Sequence, residues 1–360
     1  MISFALRLMR FTVRVASWAT PHVQAWKKRR DADSNEFLYQ MNSHNWTESE
    51  KYFRDKIESK RLGDAERAEV LIPLARAERH LKKLREALHH CQTAAELTLQ
   101  LKDGPRRLQA LMELAEIHEV QGNWDAAAAA WRESCAGDEP RRSEGKKIRA
   151  TCSRRLGLAL MASGNNEDAQ AALEAALTRS KTAFGLEHAE TANGLLALGA
   201  LFRNSGQHEK AQQSLREAVE VHGKASGRDS KEITEALYQL AASLEESGDI
   251  QGAIREYERV LTSHDRIIGG DPAEHAIAKV RLAALYLHVE RSSAARELLI
   301  HALRILEKVG GERLLICLQA LACAEEQAQR PEDAQKYQER ADALSAKLAE
   351  KTAPQTTAAR

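Results

Sequence analysis

Leucine returns at a fixed interval through the middle of this 360-residue chain: Leu156, Leu198, Leu240 and Leu282 stand 42 residues apart and open the blocks LGLAL, LGALF, LAASL and LAALY. The same step links Gly122, Gly164, Gly206 and Gly248, and again Ala127, Ala169, Ala211, Ala253 and Ala295. Three columns in one register define a repeating unit. Units of this size stack so that each buries its apolar face on its neighbours. Such a stack grows to 360 residues without a second core, so length does not imply two domains.

Each unit reads as two helices. Leu198, Leu201 and Phe202 fall at i, i+3 and i+4, one apolar stripe, and Gly206 ends that helix where a left-handed residue is easiest. Ala211, Leu215 and Ala218 follow at i, i+4 and i+7, small residues that let paired helices approach closely. Asp229 with Glu232 and Asp271 with Glu274 have capping-box spacing, and Pro272 suits a first helical turn. Composition agrees: hydrophobic residues make up 43%, charged residues 29% and aromatics 5%, with the strong helix formers dominant. The fold class is therefore all-α.

With shorter steps the pattern extends back to Leu114 with Gly122, to Leu74 with Ala87 and faintly to Asn45, Trp46 and Ser49, and forward to Leu321 with Ala334. Over residues 34 to about 349 these units resemble tetratricopeptide repeats, the 42-residue ones resembling the kinesin light chain subtype. The middle units match the family's columns in Leu198, Gly199, Phe202, Gly206, Ala211 and Ala218. Departures lie toward the ends, where Lys82 and Glu290 replace the inter-helix glycine and Pro331 enters the last turn, so those units should be less regular. The subtype's opening His-Pro survives only in pieces, as His188 before Ala189 and Asp271 before Pro272. The resemblance implies a right-handed superhelical solenoid of about eight helical pairs over residues 34–350, flanked by a basic segment at 1–33 and a disordered tail at 351–360.

In the family, first helices line the concave wall. Mapping by register selects residues two before each core leucine and two or five after it: Ile72, Arg76 and Arg79; Met112, Glu116 and Glu119; Arg154, Leu158 and Met161; Leu196, Ala200 and Arg203; Tyr238, Ala242 and Glu245; Val280, Ala284 and Leu287. A groove of this kind suits an extended peptide or a helix from a partner protein, with apolar contacts giving affinity and alternating charges fixing register. Leu196, Tyr238 and Val280 should form one apolar strip flanked by Arg203 and Glu245, with Tyr238 the anchor. The carboxylate clamp by which some members grip chaperone tails is missing its set, since Asn193 and Arg155 stand isolated.

Residues 1–30 carry Arg7, Arg10, Arg14, Lys27, Lys28, Arg29 and Arg30 and no acid. The whole chain is +1, so the rest is about −6 and offers no concentrated basic surface for nucleic acid. Arg7, Arg10 and Arg14 share one arc of a helical wheel, and the longest uncharged stretch after them, Val15 to Trp26, is too short to span a bilayer. The segment reads as an amphipathic helix that docks on an anionic membrane surface, with a capping helix or a mitochondrial transit peptide as rivals. The expected location is accordingly cytoplasmic, peripheral to a membrane, or mitochondrial in the last case.

Five cysteines (Cys91, Cys135, Cys152, Cys317, Cys323) form no CxxC pair and read as reduced apolar residues. His89, His90 and Cys91 are consecutive on a helix and so point about 100° apart, which disfavours a shared metal. No HExxH, GxSxG or phosphate-cradling glycine loop occurs. The expectation is an adaptor that binds protein partners, not an enzyme, with no cofactor and no small-molecule substrate. The alternatives are a regulatory peptide receptor and an RNA-binding helical repeat.

Overall fold

The computed structural model describes residues 45–59, 62–136, 142–226, 230–267 and 271–352. Fifteen helices and no strand occur among them. The basic segment at 1–33 and Asp229 lie outside the described residues. The tail expected from Lys351 begins inside the last helix, which runs to Thr352.

The chain forms two units, dividing after Asn123. The first holds α1 (Trp46–Ser59), α2 (Asp64–His80), α3 (Leu84–Gln100) and α4 (Gly104–Gln121). The second holds α5 (Trp124–Ser134), α6 (Ser143–Ala162), α7 (Asn166–Phe184), α8 (Ala189–Asn204), α9 (His208–Ser226), α10 (Lys231–Glu246), α11 (Ile250–Arg266), α12 (Pro272–His288), α13 (Ser292–Val309), α14 (Gly311–Gln327) and α15 (Pro331–Thr352). The repeat pattern pairs α4 with α5 around Gly122, and the division falls between them. Each is committed to its own unit: Ile117 of α4 closes on Ala75, Ala87 and Cys91, while Trp131 of α5 is buried with the Arg155 guanidinium of α6 over its ring, 5.4 Å from the centroid.

Short polar side chains start many helices. Asp103, Asn165, Ser230, Asp249 and Asp271 each accept a hydrogen bond from a backbone N–H of the first turn, and the His188 ring does the same for Glu190. Ser230 therefore caps α10 through Ile233 N, and Asp271 caps α12 through Ala273 N.

One hydrogen-bonded turn closes the first helix of every pair. Gly122, Gly164, Gly206 and Gly248 have φ between 71° and 85°, and the next residue's N–H reaches back to the carbonyl five positions earlier, as Gln207 does to Phe202. The departures keep this turn rather than lose it: Lys82, Glu290 and Gln329 adopt φ of 63°, 58° and 58°, with Lys83, Arg291 and Arg330 making the same back-bond. The expected irregularity does not reach the turns, because the back-bonds and the packing below hold a non-glycine residue in a region that costs about 1–2 kcal/mol. Pro331 sits at the first position of α15, where its missing N–H is no loss.

Packing follows the columns. Ala87, Ala127, Ala169, Ala211, Ala253 and Ala295 are all fully buried, and Leu173, Leu215, Tyr257 and Leu299, another 42-residue series, are sealed beside them. The second helix of each pair packs on the first helix of the next, as where Ala218 and Val221 of α9 meet Ala236 of α10. First helices also touch: α2 meets α4 in the first unit, and α6 meets α8, α8 meets α10 and α12 meets α14 in the second. Among the described residues no comparable contact joins successive second helices, so within each unit the first helices form the inner side. The core leucines are unevenly sealed: Leu74, Leu198, Leu240, Leu282 and Leu321 are buried, whereas Leu114 and Leu156 are half-buried.

Candidate functional site

The inner residues selected by register are mostly half-buried side chains, as expected of a wall partly shielded by adjacent helices. In the first unit these are Arg76, Arg79, Met112, Glu116 and Glu119; in the second they are Arg154, Leu158, Met161, Leu196, Ala200, Arg203, Tyr238 and Glu245. Four fall below the surface. Ile72 and Ala242 are buried, and Val280 and Leu287, only 7% and 8% exposed, belong to the apolar cluster that joins α12, α13 and α14. Val280 and Leu287 are core, which corrects their assignment to the groove: α14 packs across α12 and covers them. The strip reduces to Leu196 and Tyr238, with Ala284 exposed beyond.

The charged members do not stand free. Glu113, 3% exposed at its side chain, receives Arg76 Nε at 2.9 Å and Arg79 at 2.8 Å, and Arg79 also reaches Glu116 at 2.7 Å. Arg154 meets Glu190 of the next first helix at 2.8 Å, Arg203 meets Glu246 at 3.1 Å, and Arg281 meets Glu245 at 3.4 Å. The pairs lie 34 to 43 residues apart, about one repeat step, so each ties a first helix to its successor. These charges lie on first helices, and sequence reading had left them open to a partner. The signal for pairing is present in the sequence as opposite charges about one repeat apart.

Tyr238 is packed against a second aromatic. Its ring meets Tyr257 edge-on with centroids 5.6 Å apart. The Tyr257 hydroxyl, fully buried, donates to Glu245 at 3.0 Å. Burial and then the Glu245 charge push the Tyr257 phenol well above its ordinary range, so it stays a donor. One edge of Tyr238 packs on the cluster of Ile233, Leu237, Val260 and Ala278 while the rest is accessible. A held aromatic of this kind offers contact area without rotamer loss.

Two further buried carboxylates escaped sequence reading. Four residues after the core leucine the chain has Leu160, Phe202, Leu244 and Tyr286, but Glu78 in α2 and Glu325 in α14. Both are fully buried: Glu78 takes Arg54 at 2.9 Å and the His90 ring at 2.7 Å, and Glu325 takes Arg296 at 2.5 Å. His90 is thus a partner of Glu78. Among the described residues no group of three or more His, Cys, Asp or Glu side chains could hold a metal ion, and no helix is long and apolar enough to cross a membrane.

A family profile described as tetratricopeptide repeat matches residues 149–224, 232–308 and 274–345, more than half of the chain, and a second profile of the same description matches 72–140 and 196–263. The chain belongs to the tetratricopeptide repeat family. Among solved structures this tetratricopeptide protein is similar to the apo form of RapI, at 12% identity over 97% of this chain and 92% of that one, with a TM-score of 0.65. It is also similar to the apo form of the quorum sensor NprR from B. thuringiensis, at 12% identity over 90% and 93% of the two chains, TM-score 0.61. A kinesin light chain repeat protein from Podosopora anserina is 20% identical over 58% of this chain and 98% of that one, TM-score 0.48. No curated protein sequence matches the chain. Tetratricopeptide repeats are scaffolds that typically work through protein–protein interaction and are generally not catalytic, and the RapI and NprR likenesses establish the shared fold.

Proposed function

We propose that this tetratricopeptide protein is an adaptor that binds an extended or helical segment of a partner protein on the inner face of α6, α8 and α10. The observation that carries the reading is the half-exposed row of Leu158, Met161, Leu196, Ala200 and Tyr238 on three successive first helices, bordered by ion pairs already made within the fold. Affinity then comes from the apolar row. The charges are prearranged: a partner carboxylate or ammonium meets Arg154 or Glu245 in a fixed geometry and exchanges one hydrogen bond for another, which favours specificity over raw affinity.

Photo-crosslinking tests the assignment. A benzophenone amino acid placed at Ala200 or Ala284, both on first helices, and at Gln170 or Glu217, both on second helices, is activated in host cells and adducts are identified by mass spectrometry. A protein adduct from Ala200 and Ala284 and none from Gln170 and Glu217 is expected. Adducts confined to the second helices contradict the reading, and an adduct with the mass of a short soluble peptide favours a regulatory receptor over an adaptor. Membrane docking through residues 1–30 belongs to the same proposal and rests on the acid-free basic run alone. Flotation with anionic liposomes should retain the full chain and release one that starts at Asp31; equal retention of the two removes the membrane from the proposal.

A further inference from the structure

Residues 230–267, which form α10 and α11, hold eight acids against four lysines and arginines, a net −4. Beyond the first turn of α10 the side chains left exposed or half-exposed are Glu235, Tyr238, Gln239, Glu245 and Glu246, three acids and no base. Two of the acids are answered from neighbouring first helices: Arg203 of α8 reaches Glu246 at 3.1 Å, and Arg281 of α12 reaches Glu245 at 3.4 Å. Glu235 has no such cation among the described residues and accepts a hydrogen bond from Gln239 Nε2 at 2.7 Å.

Glu235 precedes Tyr238 by three residues, so the two lie one turn apart on one side of the helix. The Tyr238 ring is held edge-on by Tyr257, and one edge packs on Ile233, Leu237, Val260 and Ala278. A fixed ring beside a carboxylate that no cation neutralises is a receptor for an organic cation. The π face attracts the charge, and the carboxylate, with lone pairs left after Gln239, accepts its N–H.

We propose that Tyr238 and Glu235 form a subsite for a lysine or arginine side chain of the partner, carried on an extended segment whose apolar residue lies on Leu196. The subsite rests on the adaptor reading and names the partner's chemistry within it. Leu196 holds the same register in α8 as Tyr238 in α10, two residues before the core leucine, and the two helices touch. Packed helices have axes about 8–10 Å apart. A chain in polyproline-II-like extension advances about 3.1 Å per residue with three residues per turn. An apolar residue and a cation three positions apart on the partner therefore face the wall together and reach both side chains. Arg281 does not oppose the cation, because Glu245, seven residues beyond Tyr238, holds it and offsets its charge. An acidic residue at the same point would meet Glu235 and be repelled.

Selection on the full chain from a phage library of random dodecapeptides, followed by fluorescence anisotropy with the retained peptides, tests the subsite. Retained peptides should carry lysine or arginine three positions from an aliphatic residue. Replacing that cation by alanine should weaken binding about fivefold, the effect of an exposed cation–π contact. Glu235→Gln should weaken the cationic peptides by a similar factor and shrink their advantage over the alanine versions. Glu235 is exposed and glutamine still accepts from Gln239, so the substitution changes the charge and spares the fold. Glu235→Lys should shift the selection to aspartate or glutamate at that position. Peptides weakened by Leu196→Ala but indifferent to Glu235→Gln overturn the cation subsite and leave the adaptor reading standing. Peptides indifferent to both substitutions, or a library that yields none, overturn the adaptor reading and the subsite with it.

Discussion

At the scale of single residues, the close approach of paired helices rests on a small side chain facing a large one. A Cβ at Gly199 would stand 2.5 Å from Leu215 Cγ and 2.6 Å from its Cδ2, and Gly157 bears the same relation to Leu173. Gly199→Ala should therefore cost about 1–3 kcal/mol through overpacking. Gly223→Ala, a helical site with nothing within 4 Å, should gain up to about 1 kcal/mol from propensity. Urea denaturation of the two variants checks this, and equal midpoints would remove the packing argument. Strain at the turns gives the opposite sign: Glu290→Gly relieves a φ of 58° and should stabilise by about 1 kcal/mol, whereas Gly206→Ala at 71° should destabilise by a similar amount. The glycine and alanine columns were legible in the sequence because a 42-residue period aligns them. Lys82 and Glu290 read as breaks only because turn conformation depends on backbone bonds, which residue identity does not display.

At the scale of elements, the last pair, α14 and α15, holds a buried carboxylate where its siblings hold Leu160, Phe202, Leu244 or Tyr286. Arg296→Ala would leave Glu325 buried beside only Arg330, 3.7 Å away. Breaking such a pair costs about 3–5 kcal/mol, and because stacked repeats depend on nearest neighbours, the loss should fray the end pair before the middle of its unit. Hydrogen exchange should show faster exchange in α14 and α15 with α8 unchanged, and uniform acceleration of all helices would contradict this. The inner wall was half legible for the same reason. Register put Arg154, Arg203 and Glu245 on first helices, but whether a charge is free or paired is decided by the neighbouring element. Val280 and Leu287 show the limit most clearly, since the register positions that leave Leu196 half-open in α8 are sealed in α12 by α14.

At the scale of the whole molecule, buried histidines set a pH dependence. Burial lowers the pKa of His118, His222, His264 and His275 below 6.5, and His222 is fully buried with neither ring nitrogen hydrogen-bonded. As pH falls through 6.5 the unfolded chain takes up protons that the folded one refuses, so stability should fall with pH from there to below the lowered values and level off beneath them. Thermal midpoints at about pH 7 and about pH 5.5 should show the decline, with a smaller decline in His222→Leu; a midpoint indifferent to pH in that window would show that these rings are solvated. The central claim, that first helices form the binding wall, is tested most directly by hydrogen exchange on the protein with and without the partner segment recovered by crosslinking. Protection concentrated in α6, α8 and α10, with α7, α9 and α11 unchanged, is the predicted result; protection of the second helices with the first helices unaffected would contradict it.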